Sequence, residues 1–568
     1  MNTFFKHFWS VFIDFINDFQ EINYKNIPLP LLSTLQTYID DEIKSLMKVD
    51  SFGDKLRNKI QKENQIQPHF DVFLCKIQNN HSNLTKTGNI LIHDGDLLRF
   101  PREYLSTFDK NKTDFLFSPK MKNKNSYSTY IQNLEELGKV HLLDHYREDV
   151  IGLTNKFIKK TQSLFSQYHE HPVYSNKNFQ NKFIEDIPVM IDLLAAYDNF
   201  FNQVNIACVI VGNTSGMFSR ILALVANSRG IPSICTQHGI IANEMGYMPA
   251  FASKYAVFGP YEKEWYQKQG VSENSLEITG HPRFDQIFTK KHMSKNEFIQ
   301  NLQISSEKKL IFIATNMVRD INTWLSFITR LTKNPLINII IKPHPSEIKR
   351  FGTDEYKKIS SMYDSIKLVP PTMDLYDIIS NVDIVVQEYT TVGLEAMIFS
   401  KPVFCLRKED YYDGNDRYYY EKLAKFTHYD PIKLTKMIGY FLENSNIQKE
   451  WTIIKDEFLS NAYPQKIAGK KFQEFLFTLT GIKVYSTADE IVDGMLVKGK
   501  SDPIYLIVGG EKCHIFSKNE FKKLGFNSKD IRVFYDNTLD KIPDGPTINS
   551  ENVLTFIPLR NENSKNGI

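Results

Sequence analysis

Four short segments carry side chains whose types and spacing suit phosphate chemistry. Lys342-Pro343-His344-Pro345 follows the apolar run Leu336 to Ile341. Two prolines bracket one histidine there and hold it extended, so the backbone fixes its direction. About 45 residues later, Glu388-Tyr389-Thr390-Thr391-Val392-Gly393-Leu394-Glu395-Ala396 follows Ile384-Val385-Val386. Thr390 or Thr391 is placed to cap a helix running to about Phe399, and a helix start of that kind is an anion site. Glu395 lies one turn inside, on the face of Thr391, where it can accept hydrogen bonds from a sugar hydroxyl. With Glu388 at its head, this segment reads as part of a pocket for a nucleotide diphosphate.

The other two segments are Thr236-Gln237-His238-Gly239 and Gly280-His281-Pro282-Arg283-Phe284-Asp285. His238 precedes a glycine, which lets the chain turn sharply and leaves the imidazole at a sheet's carboxyl edge. With an unperturbed pKa of about 6.5 it can take a proton from a hydroxyl as general base. The bland alternative is a histidine hydrogen-bonded to loop backbone. Arg283 can grip phosphate through two N–H groups, or pair with Asp285 as a structural ion pair. Asn316 and Arg319 follow another strand and are placed to meet a diphosphate or leaving group. Lys342 and His344 would add charge or donors as the bond to phosphorus breaks. Such a site needs no metal, and Asp94-Gly95-Asp96 reads as a turn rather than a ligand set. Asp410, Tyr411, Tyr412 and Asp413 form a weaker candidate for contact with a base, ribose or acceptor.

Parallel strands must position these loops. Ala207 to Val211, Ile231 to Thr236, Tyr255 to Phe258 and Leu276 to Thr279 alternate with helices at Met217 to Arg229 and Pro260 to Gln269. A polar stretch, Lys290 to Lys308, separates them from a second alternation with strands at Leu310 to Ala314, Leu336 to Ile341, Ile366 to Val369, Asp383 to Val386 and Pro402 to Leu406. Two such sheets leave a cleft where substrates meet. Short apolar runs occur at 70–74 and 89–92, helical patterns at 146–168 and 177–204, and 110–130 reads as a surface loop. The fold class expected is α/β, a pair of Rossmann-like domains. The divisions expected are a helical N-terminal extension at 1–66, an acceptor-side domain at 67–288, a nucleotide-donor domain at 309–480 and a small β-rich module at 487–560. In the last, Ile504 to Val508, a Gly509-Gly510 turn and His514 to Phe516 form a hairpin pattern.

With 568 residues the chain exceeds one core. A formal charge of +3 gives no bulk reason for nucleic-acid binding. Five scattered cysteines without a Cys-x-x-Cys pair fit a reducing compartment and buried, inert thiols. Met1 to Gln20 carries Phe4, Phe5, Phe8, Trp9, Phe12, Phe15 and Phe19 at helical spacing, interrupted by Lys6, Asp14 and Asp18. A helix packed on its own domain is expected rather than one resting on a membrane, because the polar face lacks Lys/Arg enrichment. No window of about 18 uncharged apolar residues is present to span a bilayer.

In their order along the chain, Gln237-His238-Gly239, Gly280 to Asp285, Lys342 to Pro345 and Thr390 to Glu395 resemble the elements of the bacterial CDP-glycerol glycerophosphotransferase and capsule-polysaccharide transferase group, of GT-B architecture. The likeness covers roughly 206–420. Gln237 stands where that group has tryptophan, and Val392 to Ala396 looks more like the Kdo and other sugar transferases of capsule assembly. The resemblance implies His238 as the base, Arg283 and His344 at the phosphates, and Thr390 and Thr391 on the nucleotide diphosphate. It implies a metal-independent transferase using a CDP-, CMP- or UDP-linked donor, without a resident cofactor. The acceptor would be a cell-surface polysaccharide or lipid-linked molecule, and the enzyme would be cytoplasmic, with peripheral contact at the inner membrane face left open. Residues 498–546 are similar to a short β module appended to surface-associated proteins. Two other readings stand beside this one: a UDP-N-acetylglucosamine 2-epimerase-like enzyme and a non-catalytic glycan-binding protein.

Overall fold

The computed structural model describes residues 1–78, 88–117, 124–316, 320–407 and 419–482 and most of 491–550. Seven parallel strands build the first sheet: β1 (Asn89–Asp94), β2 (Thr113–Phe117), β3 (Lys139–Leu142), β4 (Ile206–Val211), β5 (Ser233–Thr236), β6 (Lys254–Val257) and β7 (Leu276–Ile278). They run in the order β3-β2-β1-β4-β5-β6-β7. The chain direction across the sheet therefore reverses between β1 and β4, and the loops leaving their carboxyl ends flank the crevice where such sheets bind ligands. Side chains alternate between faces as the two-residue period demands. Leu91, Val209, Val211 and Tyr255 enter one core, while Ile90, Ile92, Cys208 and Ile210 enter the other.

The first of those cores reaches back to the start of the chain. Helix α1 (Thr3–Asp18) is capped by Asn2, whose side chain accepts the Phe5 N–H at 2.9 Å. Phe5, Phe8, Trp9, Phe12, Phe15 and Phe19 are all buried, and they pack with Phe179 and Phe183 of helix α2 (Lys177–Gln203) and with Val209 of the sheet. Each large aromatic contributes roughly 2 to 3 kcal/mol on leaving water. The aromatic helix is thus packed inside its own domain, and residues 1–66 share one continuous core with the first sheet. No helix among the described residues is long and apolar enough to cross a membrane.

Helix α3 (Met217–Ser228) follows β4, and Gly230, at φ 73°, ends its crossover. The second sheet is β8 (Lys309–Ala314), β9 (Ile337–Lys342), β10 (Ile366–Leu368), β11 (Ile384–Gln387), β12 (Val403–Leu406) and β13 (Thr427–His428), parallel in the order β10-β9-β8-β11-β12-β13. It repeats the reversal of the first, between β8 and β11. Helix α4 (Pro345–Phe351) leaves β9 and helix α5 (Thr391–Ile398) leaves β11. The last helix, α6 (Ala468–Thr480), returns to the first sheet, where Phe472 and Leu476 join Ile90 and Tyr104.

One reading needs correction. The stretch 110–130 is not a surface loop, because it contains the buried strand β2 and the helix Lys124–Glu135. The run 70–74 is helical, inside Ile66–Ile77. The C-terminal module is a sheet of β14 (Leu496–Lys498), β15 (Ile504–Val508), β16 (Glu511–His514) and β17 (Arg532–Val533), ordered β16-β15-β14-β17. Its Gly509-Gly510 turn takes φ of 61° and 78°, which suits a two-residue hairpin, and the Asp493 carboxylate accepts both amides.

Candidate active site

His238 sits in the turn that leaves β5. Gln237, buried beneath it, donates to Gly239 O at 2.8 Å and to Glu262 Oε1 at 3.2 Å, and accepts the Phe258 N–H at 2.9 Å. An amide makes all three bonds where an indole has a single donor, so the glutamine ties this turn to the helix Pro260–Lys268. The imidazole stacks on Tyr247, with centroids 4.7 Å apart and planes 5° from parallel. Neither ring nitrogen has a hydrogen-bond partner among the described residues, so the loop-bound alternative is not what is seen. Burial, then Arg99 and Arg283, pull its pKa down to about 4. The ring is neutral at working pH and can accept a proton.

Arg283 does not pair with Asp285. Its Nη2 lies 3.3 Å from Glu395 Oε1, across the cleft, and its plane rests over Phe284. Arg283 Nε and Nη2 are buried without a hydrogen bond among the described residues. Asp285 turns the other way and accepts the Ala468 and Gly469 amides, both at 2.7 Å, capping α6. Burial pushes its carboxyl up to about 7 against those two donors. Glu395 also accepts the Tyr376 hydroxyl at 3.2 Å. In this arrangement its carboxylate serves Arg283 and Tyr376, and burial raises its pKa.

On the second sheet, Thr390 occupies the cap position of α5 without making a side-chain cap bond, and its Oγ1 is buried and unpartnered among the described residues. Thr391 and Val392 supply the first amides of this helix, which have no intrahelical acceptor, so the helix start suits an anion. Thr391 Oγ1 instead reaches the first sheet's loop and accepts the Ile240 N–H at 3.2 Å. His344 caps α4: its Nδ1 accepts the Ser346 N–H at 3.1 Å, so the proton resides on Nε2 and the ring offers a donor. Burial and then Arg99 lower its pKa.

Asn316 and Glu388 are buried at the ends of β8 and β11. Lys342 is a different case. Its ammonium donates to Pro370 O, Pro371 O and Met373 O at 2.9 to 3.3 Å, so its three hydrogens brace the turn after β10 and none is left for a phosphate. Arg319 and the segment 410–413 lie outside the described residues.

The sequence reading missed Arg99. It sits on the loop after β1, is solvent-exposed, and donates from Nη1 to His238 O at 3.3 Å. Its pKa is lowered by the protein packed around it and by Arg283. The only signal in the sequence was a Gly-Asp turn following an apolar run.

The site thus unites His238, Arg99 and Arg283 from one sheet with His344, Thr390, Thr391 and Glu395 from the other. Two facing Rossmann-like sheets, closed over a cleft with such residues at their carboxyl edges, define a GT-B-like architecture. Residues 207–433 match the model of the CDP-glycerol:poly(glycerophosphate) glycerophosphotransferase family. That span covers His238, Arg283, His344 and α5 but not Arg99. No curated protein matches the chain. Among solved structures, the chain is similar to UDP-GlcNAc 2-epimerase from Neisseria meningitidis bound to UDP-GlcNAc (13% identity, 68% of this chain and 99% of that one, TM-score 0.46). It is also similar to UDP-GlcNAc 2-epimerase from Methanocaldococcus jannaschii (14%, 69% and 99%, 0.45) and to the wall teichoic acid polymerase TagF (14%, 74% and 94%, 0.42).

Proposed function

We propose that this protein is a transferase that moves a glycerol phosphate or sugar from a nucleotide-activated donor to a polysaccharide or lipid-linked acceptor. The observation that carries this reading is the meeting of a neutral, unpartnered imidazole from one sheet with an open helix start from the other, inside the span that matches the glycerophosphotransferase model. His238 takes the acceptor hydroxyl's proton as that oxygen attacks the phosphorus or anomeric carbon. The bond to the nucleotide breaks, and its oxygen's new charge falls on the α5 amides, the Thr390 hydroxyl, His344 Nε2–H and Arg283. Those groups support a leaving-group site without a resident metal. The work is done in the cytoplasm in this reading, where nucleotide-activated donors are made.

The test is a thermal-shift panel of CDP, CMP, UDP and GDP followed by transfer assays with CDP-glycerol and nucleotide sugars. A ligand that binds only the native state raises the melting temperature, so one or more should shift it. Absence of any shift would sink the donor pocket. Epimer formed from UDP-N-acetylglucosamine without an acceptor would replace transfer by epimerisation.

A further inference from the structure

The loop that carries Arg99 is strained, and its strain is held in place by specific contacts. Asp96, Leu97 and Arg99 adopt φ of 38°, 70° and 55°, a left-handed region that is disfavoured for non-glycine residues. Asp96 fastens the loop to α3 by accepting the Ser219 amide at 3.2 Å and its hydroxyl at 2.8 Å. Asn213 donates to Asp96 O at 2.5 Å. The third fastening is His281. Its Nδ1 accepts the Arg283 N–H at 3.0 Å, which puts the proton on Nε2, and Nε2–H donates to Leu98 O at 3.0 Å. One fully buried imidazole therefore joins the backbone beside each of two arginines, from loops about 180 residues apart.

Charge around those arginines does not balance. Glu395 is the one carboxylate paired with Arg283, and Arg99 has no ion pair among the described residues. The imidazoles of His238 and His344 are neutral. Among the described residues Arg283 Nε and Nη2 are buried without a hydrogen bond, Nη2 having only the Glu395 oxygen at 3.3 Å, and the exposed Arg99 side chain reaches His238 O alone.

Resting on the transferase reading above, we propose that Arg99 and Arg283 form a two-guanidinium clamp for a phosphate group of the substrate, and that His281 is the positioning residue that keeps the two in register. A phosphate presents several oxygens to paired guanidinium forks, takes up the excess charge and satisfies the open donors of Arg283. The same chemistry serves a donor diphosphate or a phosphate on the acceptor.

The test titrates the full chain with CDP, inorganic pyrophosphate and glycerol 3-phosphate, read by calorimetry. R99Q, at an exposed position, should weaken at least one of them about tenfold or more, as expected for loss of a charged hydrogen bond. Weakening of CDP and pyrophosphate assigns the clamp to the donor, and of glycerol 3-phosphate alone to the acceptor. H281N keeps an acceptor for the Arg283 amide but cannot reach Leu98 O, so it should lose as much as R99Q. H281Q, which can still donate to Leu98 O, should retain most of the affinity. The R99Q/H281N double variant should bind no more weakly than either single one. Unchanged binding of all three ligands by R99Q overturns the clamp. Additive losses overturn the role of His281. If the parent chain binds pyrophosphate but no nucleotide, the transferase reading fails while the clamp is still judged on pyrophosphate.

Discussion

Thr391 Oγ1, in the first turn of α5, accepts the Ile240 N–H at 3.2 Å, and so joins the anion-binding end of one sheet to the turn that carries His238 on the other. Two residues away, the Tyr389 hydroxyl donates to Ile241 O at 2.7 Å. A Cβ at Gly239 would stand 3.0 Å from Thr391 Oγ1 and 3.6 Å from the Tyr247 hydroxyl. Closure of the cleft therefore depends on a missing side chain. Gly239→Ala should leave the melting temperature within a few degrees and lower kcat/KM about tenfold, because a misplacement of a few tenths of an ångström acts on the closed state. Gly239→Ala with Thr391→Ala should recover part of the loss. A Gly239→Ala enzyme with full activity would show that the lobes do not meet here during turnover.

Arg283 and Glu395 are partners in structure before they are partners in any reaction. Arg283→Ala leaves a buried carboxylate without its counter-charge, at an expected cost of about 2 to 4 kcal/mol in urea unfolding. Adding Glu395→Gln should return most of that stability but none of the transfer activity. Recovery of both together would make the arginine purely structural.

Burial, then the Arg99 and Arg283 guanidinium groups, hold the His238 pKa at about 4. A bound phosphate anion neutralises them and raises the basicity of the imidazole. The acidic limb of kcat/KM, which reports the free enzyme, should thus lie below that of kcat, which reports the complex. Arg99→Gln should move the kcat/KM limb upward. Coincident limbs in the parent enzyme would count against His238 as the base.

Much of this was legible in the sequence, for a physical reason. Strands buried on both faces read as unbroken apolar runs, and motif loops begin where those runs end. Strand β2 escaped notice because Lys110, Asn111 and Lys112 precede it and its Asp114 is polar. That carboxylate is buried beside His141 Nε2, at 3.4 Å, and accepts from Asn89 at 3.1 Å, partners supplied by neighbouring strands. Lys342 looked like a phosphate ligand because a cation follows a strand. Its target was settled by a turn about 30 residues later, which no local pattern reveals. Arg99 was hidden for the same reason: its direction comes from left-handed backbone and from contacts with β4 and α3.

Two buried carboxyls make stability depend on pH up to neutrality. Burial pushes Glu262 up to about 8 and Asp285 up to about 7, both above their unfolded values. Each holds its proton more tightly in the folded chain, so its contribution is complete at low pH and is lost as pH rises through the folded pKa. The melting temperature should fall as pH rises from about 4.5 to about 8, the interval between the unfolded and folded values of these groups. Glu262→Gln should flatten that decline while lowering activity, since Glu262 accepts from Gln237 beneath His238. A melting temperature that stays level across this range in the parent chain would refute the assignment.

Gly212, at the end of β4, decides where the Arg99 loop lies. A Cβ there would fall 2.1 Å from Leu98 N, 2.4 Å from Leu98 Cα and 2.5 Å from Leu97 C. All three are backbone atoms, so no side-chain rotation relieves the clash and the loop itself must move. Gly212→Ala should cost about 1 to 3 kcal/mol, as overpacking does, and should also weaken phosphate binding by displacing Arg99. Arg99→Gln should weaken binding with stability unchanged, and the two variants together should bind as Gly212→Ala alone. Urea unfolding and calorimetry on the same samples separate these effects. A Gly212→Ala chain that is less stable yet binds pyrophosphate at full strength would show that the loop's position has no bearing on the clamp.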